Sequence, residues 1–172
     1  MTTQQIILWT CGYLVALVAV IYFTRATQRR VIGAMAGGAA AGLLGVGAIA
    51  LCNALGWWWI PFASTPYFLA LFYLGLSVSL TPIYLVTWRV ARRFGWHGLA
   101  VFIGIVTVIG PPRDYLYAGM FPKWMVFAPG VAPILADGAT YAGMVVLGHA
   151  VMRLIAGPAS DDRLARHPRE AA

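Results

Sequence analysis

Acidic residues are scarce in this chain. Its 172 residues include only five aspartates and glutamates, and between Met1 and Gly157 there are only two, Asp114 and Asp137. Charged residues make up 10% of the chain and hydrophobic residues 61%, whereas soluble domains carry about 25% charged residues. This lack of charge excludes a soluble globular domain and indicates a protein whose solvent is a bilayer.

Other absences narrow the functional classes. The two cysteines, Cys11 and Cys52, form no CxxC motif, and the three histidines have no metal-ligand spacing. The net charge of +7 comes from short arginine clusters between apolar runs, which is not the continuous basic face of a nucleic-acid-binding protein. We therefore predict no metal, no cofactor and no nucleic acid partner. A disulfide between Cys11 and Cys52 is an alternative to simple packing, since both are expected about one turn below the outer surface.

Most of the chain consists of long apolar segments. A bilayer core needs about 20 apolar residues in a helix, and five segments approach that length, with the fourth the shortest and ending at Pro111-Pro112. The sequence thus predicts an all-α integral membrane domain over residues 1–157, followed by a mobile cytoplasmic tail over 158–172. The five predicted helices are Ile6–Thr24, Val31–Leu55, Tyr67–Trp88, Phe94–Gly110 and Pro133–Ile155.

Basic residues set the expected orientation. All but two of the twelve lysines and arginines end or follow the first, third or fifth segment, and only Arg113 and Lys123 fall on the opposite side. Because positive charge concentrates in cytoplasmic loops, we expect five crossings with the N-terminus outside and the C-terminus in the cytoplasm. Met1–Gln5 lacks the basic region of a cleavable signal, so the first segment is expected to remain. Arginine far outnumbers lysine, which favours a bacterial inner membrane.

The second helix carries a stripe of small residues. Gly33, Gly37, Ala41 and Gly45 recur every four positions, and Gly38 and Gly42 form a neighbouring row. Such a stripe lets another helix approach closely. Close packing within one subunit is the favoured interpretation, and a homo-oligomer or a membrane partner bound through this helix is the alternative.

The third helix places polar side chains on one face. Tyr73, Ser77 and Thr81 follow one another at helical spacing, with Pro82 beside them. A proline frees a backbone carbonyl and kinks a helix, so this face is a candidate lining for a cavity. The alternative is that Ser77 and Thr81 bond to their own backbone.

The segment from Pro111 to Pro133 is rich in proline and aromatic residues. Irregular backbone at membrane depth must be covered by protein or face water, so we expect a structured cap over the outer helix ends. Arg113 and Asp114 would lie there, close to Asp137 in the last helix. An Asp137–Arg113 salt bridge would be purely structural, whereas a pocket would use Asp114 and Asp137 as proton donor or acceptor. The predicted ligand-binding residues are Arg113, Tyr73, Ser77, Thr81, Tyr115, Tyr117, Lys123, Trp124 and Tyr141.

Three functional classes fit these features. The favoured one is a protein that binds a lipid or other hydrophobic small molecule near the outer leaflet. The second is a cofactor-independent membrane enzyme of isoprenoid or lipid metabolism that uses an aspartate as general acid or base. The third is a non-catalytic subunit of a membrane complex.

Overall fold

The computed structural model describes residues 3–61 and 67–158, which fold almost entirely into helices. The helices are α1 (Thr3–Thr24), α2 (Gln28–Ala54), α3 (Phe68–Met120) and α4 (Val131–Ala156). All four are long and apolar enough to cross a membrane, which indicates an integral membrane protein. The predicted first, second and last segments closely match α1, α2 and α4. The predicted tail lies almost wholly outside the described residues.

Helix α3 contains the third and fourth predicted segments and is broken between them. Its 53 residues are interrupted at Gly95, whose backbone angles are φ 63° and ψ −155°. A straight helix of this length would be about 80 Å long, yet Ser79 and Arg113 line one cavity. The chain therefore turns back at Gly95, and α3 consists of a first arm (68–94) and a second arm (96–120). Glycine adopts this backbone conformation without the clash that a Cβ would cause.

The second arm is longer than the sequence predicted. The prediction that this helix ends at Pro111-Pro112 is wrong, because α3 continues to Met120 with both prolines inside it. Neither proline can donate to the carbonyls of Thr107 and Val108 one turn earlier. Gly138 of α4 packs against this turn of the helix: a Cβ there would stand 3.2 Å from the Thr107 oxygen and 3.6 Å from Pro111 Cγ. A packed neighbouring helix thus accommodates prolines that would end an isolated helix.

The glycines of α2 pack against helices of the same chain. Gly33 and Gly37 face Met152 and Gly148 of α4, whereas Gly38 and Gly42 face Thr81 and Ser77 of α3. The favoured interpretation, close packing within one subunit, is what the structure shows. The buried core beside these contacts includes Ala34, Ala41, Leu80, Tyr84, Leu85, Trp88, Met144 and Met152.

The loops at one end of the bundle form a cap. A two-residue strand, β1 (Trp58–Trp59), pairs antiparallel with β2 (Val126–Phe127), with Trp58 opposite Phe127. The amide of Ala128 also donates to the Trp57 carbonyl at 2.7 Å. The cap therefore differs from the predicted segment between Pro111 and Pro133. It comprises residues 55–61, which follow α2, and residues 121–130, which connect α3 to α4, whereas residues 111–120 belong to α3. We call this end of the bundle the cap end and the opposite end the Gly95 end.

Arginines fasten helix C-termini at the Gly95 end. The Arg30 guanidinium donates to the carbonyls of Gly157 at 2.6 Å and Pro158 at 2.8 Å, just after α4. Arg89 donates to the Thr24 carbonyl at the end of α1, at 2.8 Å. These carbonyls have no partner within their own helices, so the arginines both satisfy them and oppose the negative end of each helix dipole.

Candidate functional site

A three-residue polar cluster lies at the cap end between α3 and α4. Arg113 donates to Asp114 Oδ1 from Nε at 3.0 Å and from Nη2 at 2.8 Å. The Tyr141 hydroxyl donates to Asp114 Oδ2 at 2.6 Å and also accepts a short hydrogen bond from Arg113 Nη2. Asp114 is thus held on both carboxylate oxygens, and the three side chains form a closed network that we call the Arg113 cluster.

Local sequence explains how the cluster is assembled. The continuation of α3 through its prolines carries Arg113 and Asp114 on a helix rather than on a loop. Gly110, one turn earlier, leaves room for the Tyr141 ring, because a Cβ at Gly110 would overlap that ring. The Arg113 guanidinium also lies 5.3 Å from the ring centroid of Tyr141, a favourable cation–π distance.

Asp137 does not join this cluster. Its side chain is only 4% exposed, and its Oδ2 atom has no hydrogen-bond partner. Within residues 3–61 and 67–158, Arg113 pairs with Asp114 instead, so the Asp137–Arg113 salt bridge weighed from the sequence is not formed. Tyr141, one helical turn after Asp137, occupies the position facing Arg113.

A cavity of about 300 Å³ opens beside the Arg113 cluster. Of the predicted site residues, Arg113, Asp114, Tyr117 and Trp124 line it. Its other walls are apolar or small side chains from α1, the cap and the first arm of α3: Ile6, Trp9, Thr10, Tyr13, Ile60, Phe72, Gly75, Leu76, Ser79 and Met125. We call this space the Arg113 cavity.

The predicted polar face of the third helix points elsewhere. Ser77 and Thr81 donate to the carbonyls four residues earlier, at 2.8 and 2.9 Å, and the Tyr73 hydroxyl donates to the Ala39 carbonyl of α2 at 3.3 Å. The plainer alternative for Ser77 and Thr81 is therefore the one observed. These residues form the interface between α3 and α2 and do not line the Arg113 cavity.

The remaining predicted residues lie in or near the cap. Tyr115 stacks on Phe127 with ring centroids 4.1 Å apart, and its buried hydroxyl has no hydrogen-bond partner. Lys123 is exposed on the cap. Trp124 stacks on Phe121 at 4.8 Å and meets Trp9 of α1 edge-on at 5.9 Å, so the cap is fastened to α1 by aromatic contacts.

Sequence reasoning missed the contribution of α1. Trp9 and Tyr13 are spaced by one helical turn and stack at 6.1 Å, and Thr10 lies against Gly75 of the first arm. The available signal was Gly75 and Ser79, which share a helical face four residues apart and allow α1 to approach. This face is less polar than that of Tyr73, Ser77 and Thr81, so polarity alone favours the wrong face.

His149 and the two cysteines lie outside the Arg113 cluster. His149 Nδ1 lies 2.9 Å from Thr87 Oγ1, which links α4 to α3. Cys11 is exposed and Cys52 is buried, and both are free thiols. Over the part of the chain that the structure describes, no three histidine, cysteine or acidic side chains form a group that could hold a metal ion.

Comparison with family models, curated proteins and solved structures found no match. The interpretation of the site therefore rests on its geometry.

The two aspartates are expected to respond differently to removal of their charge. Asp114→Asn should destabilise the protein by about 1.5–3 kcal/mol, because it weakens charge-assisted hydrogen bonds to Arg113 and Tyr141. Asp137→Asn should leave stability unchanged or raise it, because Oδ2 has no bond to lose and a carboxylate is costly to bury. Unfolding of both variants in detergent, followed by far-UV circular dichroism, measures the difference. A larger loss for Asp137→Asn would mean that this carboxyl has an essential partner.

Proposed function

We propose that this protein binds a lipid or other hydrophobic small molecule in the Arg113 cavity. The observation that supports the proposal is the lining of the cavity. Charged residues of the Arg113 cluster lie on one side, and mainly aromatic or aliphatic side chains form the rest. Binding sites for small molecules are commonly apolar clefts of roughly 300–1,000 Å³ with a few placed polar groups. The cavity lies at the lower end of that range.

The cluster suggests which part of the ligand goes where. The Arg113 side chain is 51% exposed, so its guanidinium is accessible and retains donors beyond those given to Asp114 and Tyr141. Arg113 would bind an anionic or polar head group, while Asp114 and Tyr141 hold the guanidinium in place. Trp9, Phe72 and Trp124 would surround an apolar body. The volume suits one prenyl or acyl segment better than a whole phospholipid.

The proposed topology is five crossings in a bacterial inner membrane, with the N-terminus outside. Two features support it: the reversal at Gly95 divides α3 into two arms, and the arginines of the loops and helix ends gather at the Gly95 end. Under the positive-inside rule, that end would face the cytoplasm, and the Arg113 cavity would open near the outer leaflet. Labelling single cysteines introduced at Gln5 and at Arg93 with a membrane-impermeant thiol reagent tests this orientation.

Native mass spectrometry of protein extracted in a mild detergent tests the binding proposal. We expect a stoichiometric bound hydrophobic molecule on the wild type, and its loss in Arg113→Gln and in Ser79→Phe, which fills the cavity. Arg93→Gln is the matched control, because Arg93 is an exposed arginine at the opposite end of the bundle. A folded wild-type protein that never carries such a molecule, even after incubation with lipid extract, would refute the proposal.

A further inference from the structure

A second cavity, of about 210 Å³, lies at the Gly95 end. Its walls include Arg30, Trp88, Trp96, His149, Met152 and Arg153, contributed by α2, both arms of α3, and α4. We call it the Trp88 cavity. It lies at the opposite end of the bundle from the Arg113 cavity and shares no lining residue with it.

Positive charge dominates this cavity. Arg30 and Arg153 both line it, and no acidic residue does so among the residues described. Arg92 adds a third guanidinium nearby: its Cζ lies 5.4 Å from the Trp88 ring centroid, and that of Arg30 lies 5.3 Å from it. Two cations thus flank one indole and a third, Arg153, lines the same cavity, and a site of this kind is stabilised by an anion.

Unpartnered hydrogen-bond donors point to the same kind of ligand. Trp88 is only 3% exposed, and its Nε1 has no hydrogen-bond partner. Arg92 Nη1 is likewise a buried donor without a partner. A buried donor left unbonded costs free energy, so the protein gains if a ligand supplies acceptors. A phosphate group presents acceptors only and carries the complementary charge.

We infer that the Trp88 cavity binds an anionic phosphate group, with the lining residues Trp88 and Arg153 as its donors and Arg92 adding positive charge nearby. Arg30 contributes charge while its guanidinium holds the end of α4. Basic pockets between membrane helices are typical sites for phospholipid head groups. Free phosphate has the same chemistry, and the two sources are separated by experiment.

The experiment uses the full chain in detergent and measures its thermal unfolding temperature during titration. Three separate titrations add phosphatidylglycerol, zwitterionic phosphatidylcholine, or inorganic phosphate at constant ionic strength. If phosphatidylglycerol raises the unfolding temperature and phosphatidylcholine does not, the ligand is a lipid head group. A rise with inorganic phosphate as well supports the anion site with either source. An equal shift in unfolding temperature with both lipids, or no shift in any of the three titrations, overturns the inference.

Variants locate the site. Arg153→Gln and Trp88→Phe should each weaken the phosphatidylglycerol response by about tenfold in half-saturating concentration, because each removes a donor to a charged group. Arg93→Gln is the matched control, since Arg93 is exposed at the same end but does not line the cavity. An equal loss in Arg93→Gln would indicate general surface attraction and overturn the site.

Discussion

Replacing Gly148 with alanine is expected to destabilise the protein by about 3 kcal/mol, the upper part of the usual range for overpacking a tight core. A Cβ at Gly148 would overlap the ring of Tyr84, and a Cβ at Gly37 would overlap the backbone of Gly148. Tyr84 cannot move aside easily, because its side chain is fully buried and its hydroxyl donates to the Met144 carbonyl at 2.9 Å. One added methyl group at position 148 must therefore push α4 away from α3, and this displacement also disturbs the close contact of Gly148 with Gly37 of α2. Unfolding by sodium dodecyl sulfate in mixed micelles measures the loss.

Gly143→Ala is the matched control, because it lies on the same helix and its Cβ would meet Leu44 at an ordinary distance of 3.6 Å. Alanine there should be neutral or stabilising by up to about 1 kcal/mol, through its higher helix propensity. Tyr84→Leu should remove much of the clash, so the double variant should lose less than the sum of the single losses. Strict additivity would show that the Tyr84 ring is not what excludes a side chain at position 148.

The helices were predictable because apolar length directly measures membrane-spanning potential. The small-residue stripe of α2 also predicted that other helices pack closely against it, since small residues every four positions allow helix backbones to approach each other in lipid. Pro111 and Pro112 misled the prediction, because the rule that proline ends a helix assumes no neighbour to compensate. The neighbour here is α4, which packs against this turn through Gly138, 27 residues beyond Pro111 and not recognisable as its contact from sequence.

The site was predictable in its charges but not in its pairing. Arg113 and Asp114 stand out because carboxylates are so rare here, and their adjacency allowed a local ion pair. The choice of Tyr141 rather than Asp137 as their partner depends on how α4 is rotated against α3, which a sequence of uniformly apolar faces does not reveal. Likewise, Trp9 and Tyr13 look like ordinary interfacial aromatics until the cap brings Trp124 against them.

At the Gly95 end, Arg30 has a structural role that a count of charges does not reveal. From the sequence they were topology determinants, but Arg30 is only 3% exposed and bonds to two carbonyls that follow α4. Its guanidinium also lies against Trp88. One side chain thus joins the start of α2, the end of α4 and the first arm of α3.

Arg30→Met is therefore expected to cost about 3 kcal/mol, because it removes two hydrogen bonds from a charged donor and a cation–π contact while keeping a stem of similar length. Unfolding in mixed micelles measures the change. Arg29→Met provides the comparison at the neighbouring position, where the arginine is exposed and makes a longer bond to the Ile155 carbonyl, at 3.3 Å. Its cost should stay within about 0.5 kcal/mol. Since both variants remove one positive charge from the first turn of α2, an equal loss would attribute the effect to charge and topology, whereas the expected difference attributes it to the capping of α4.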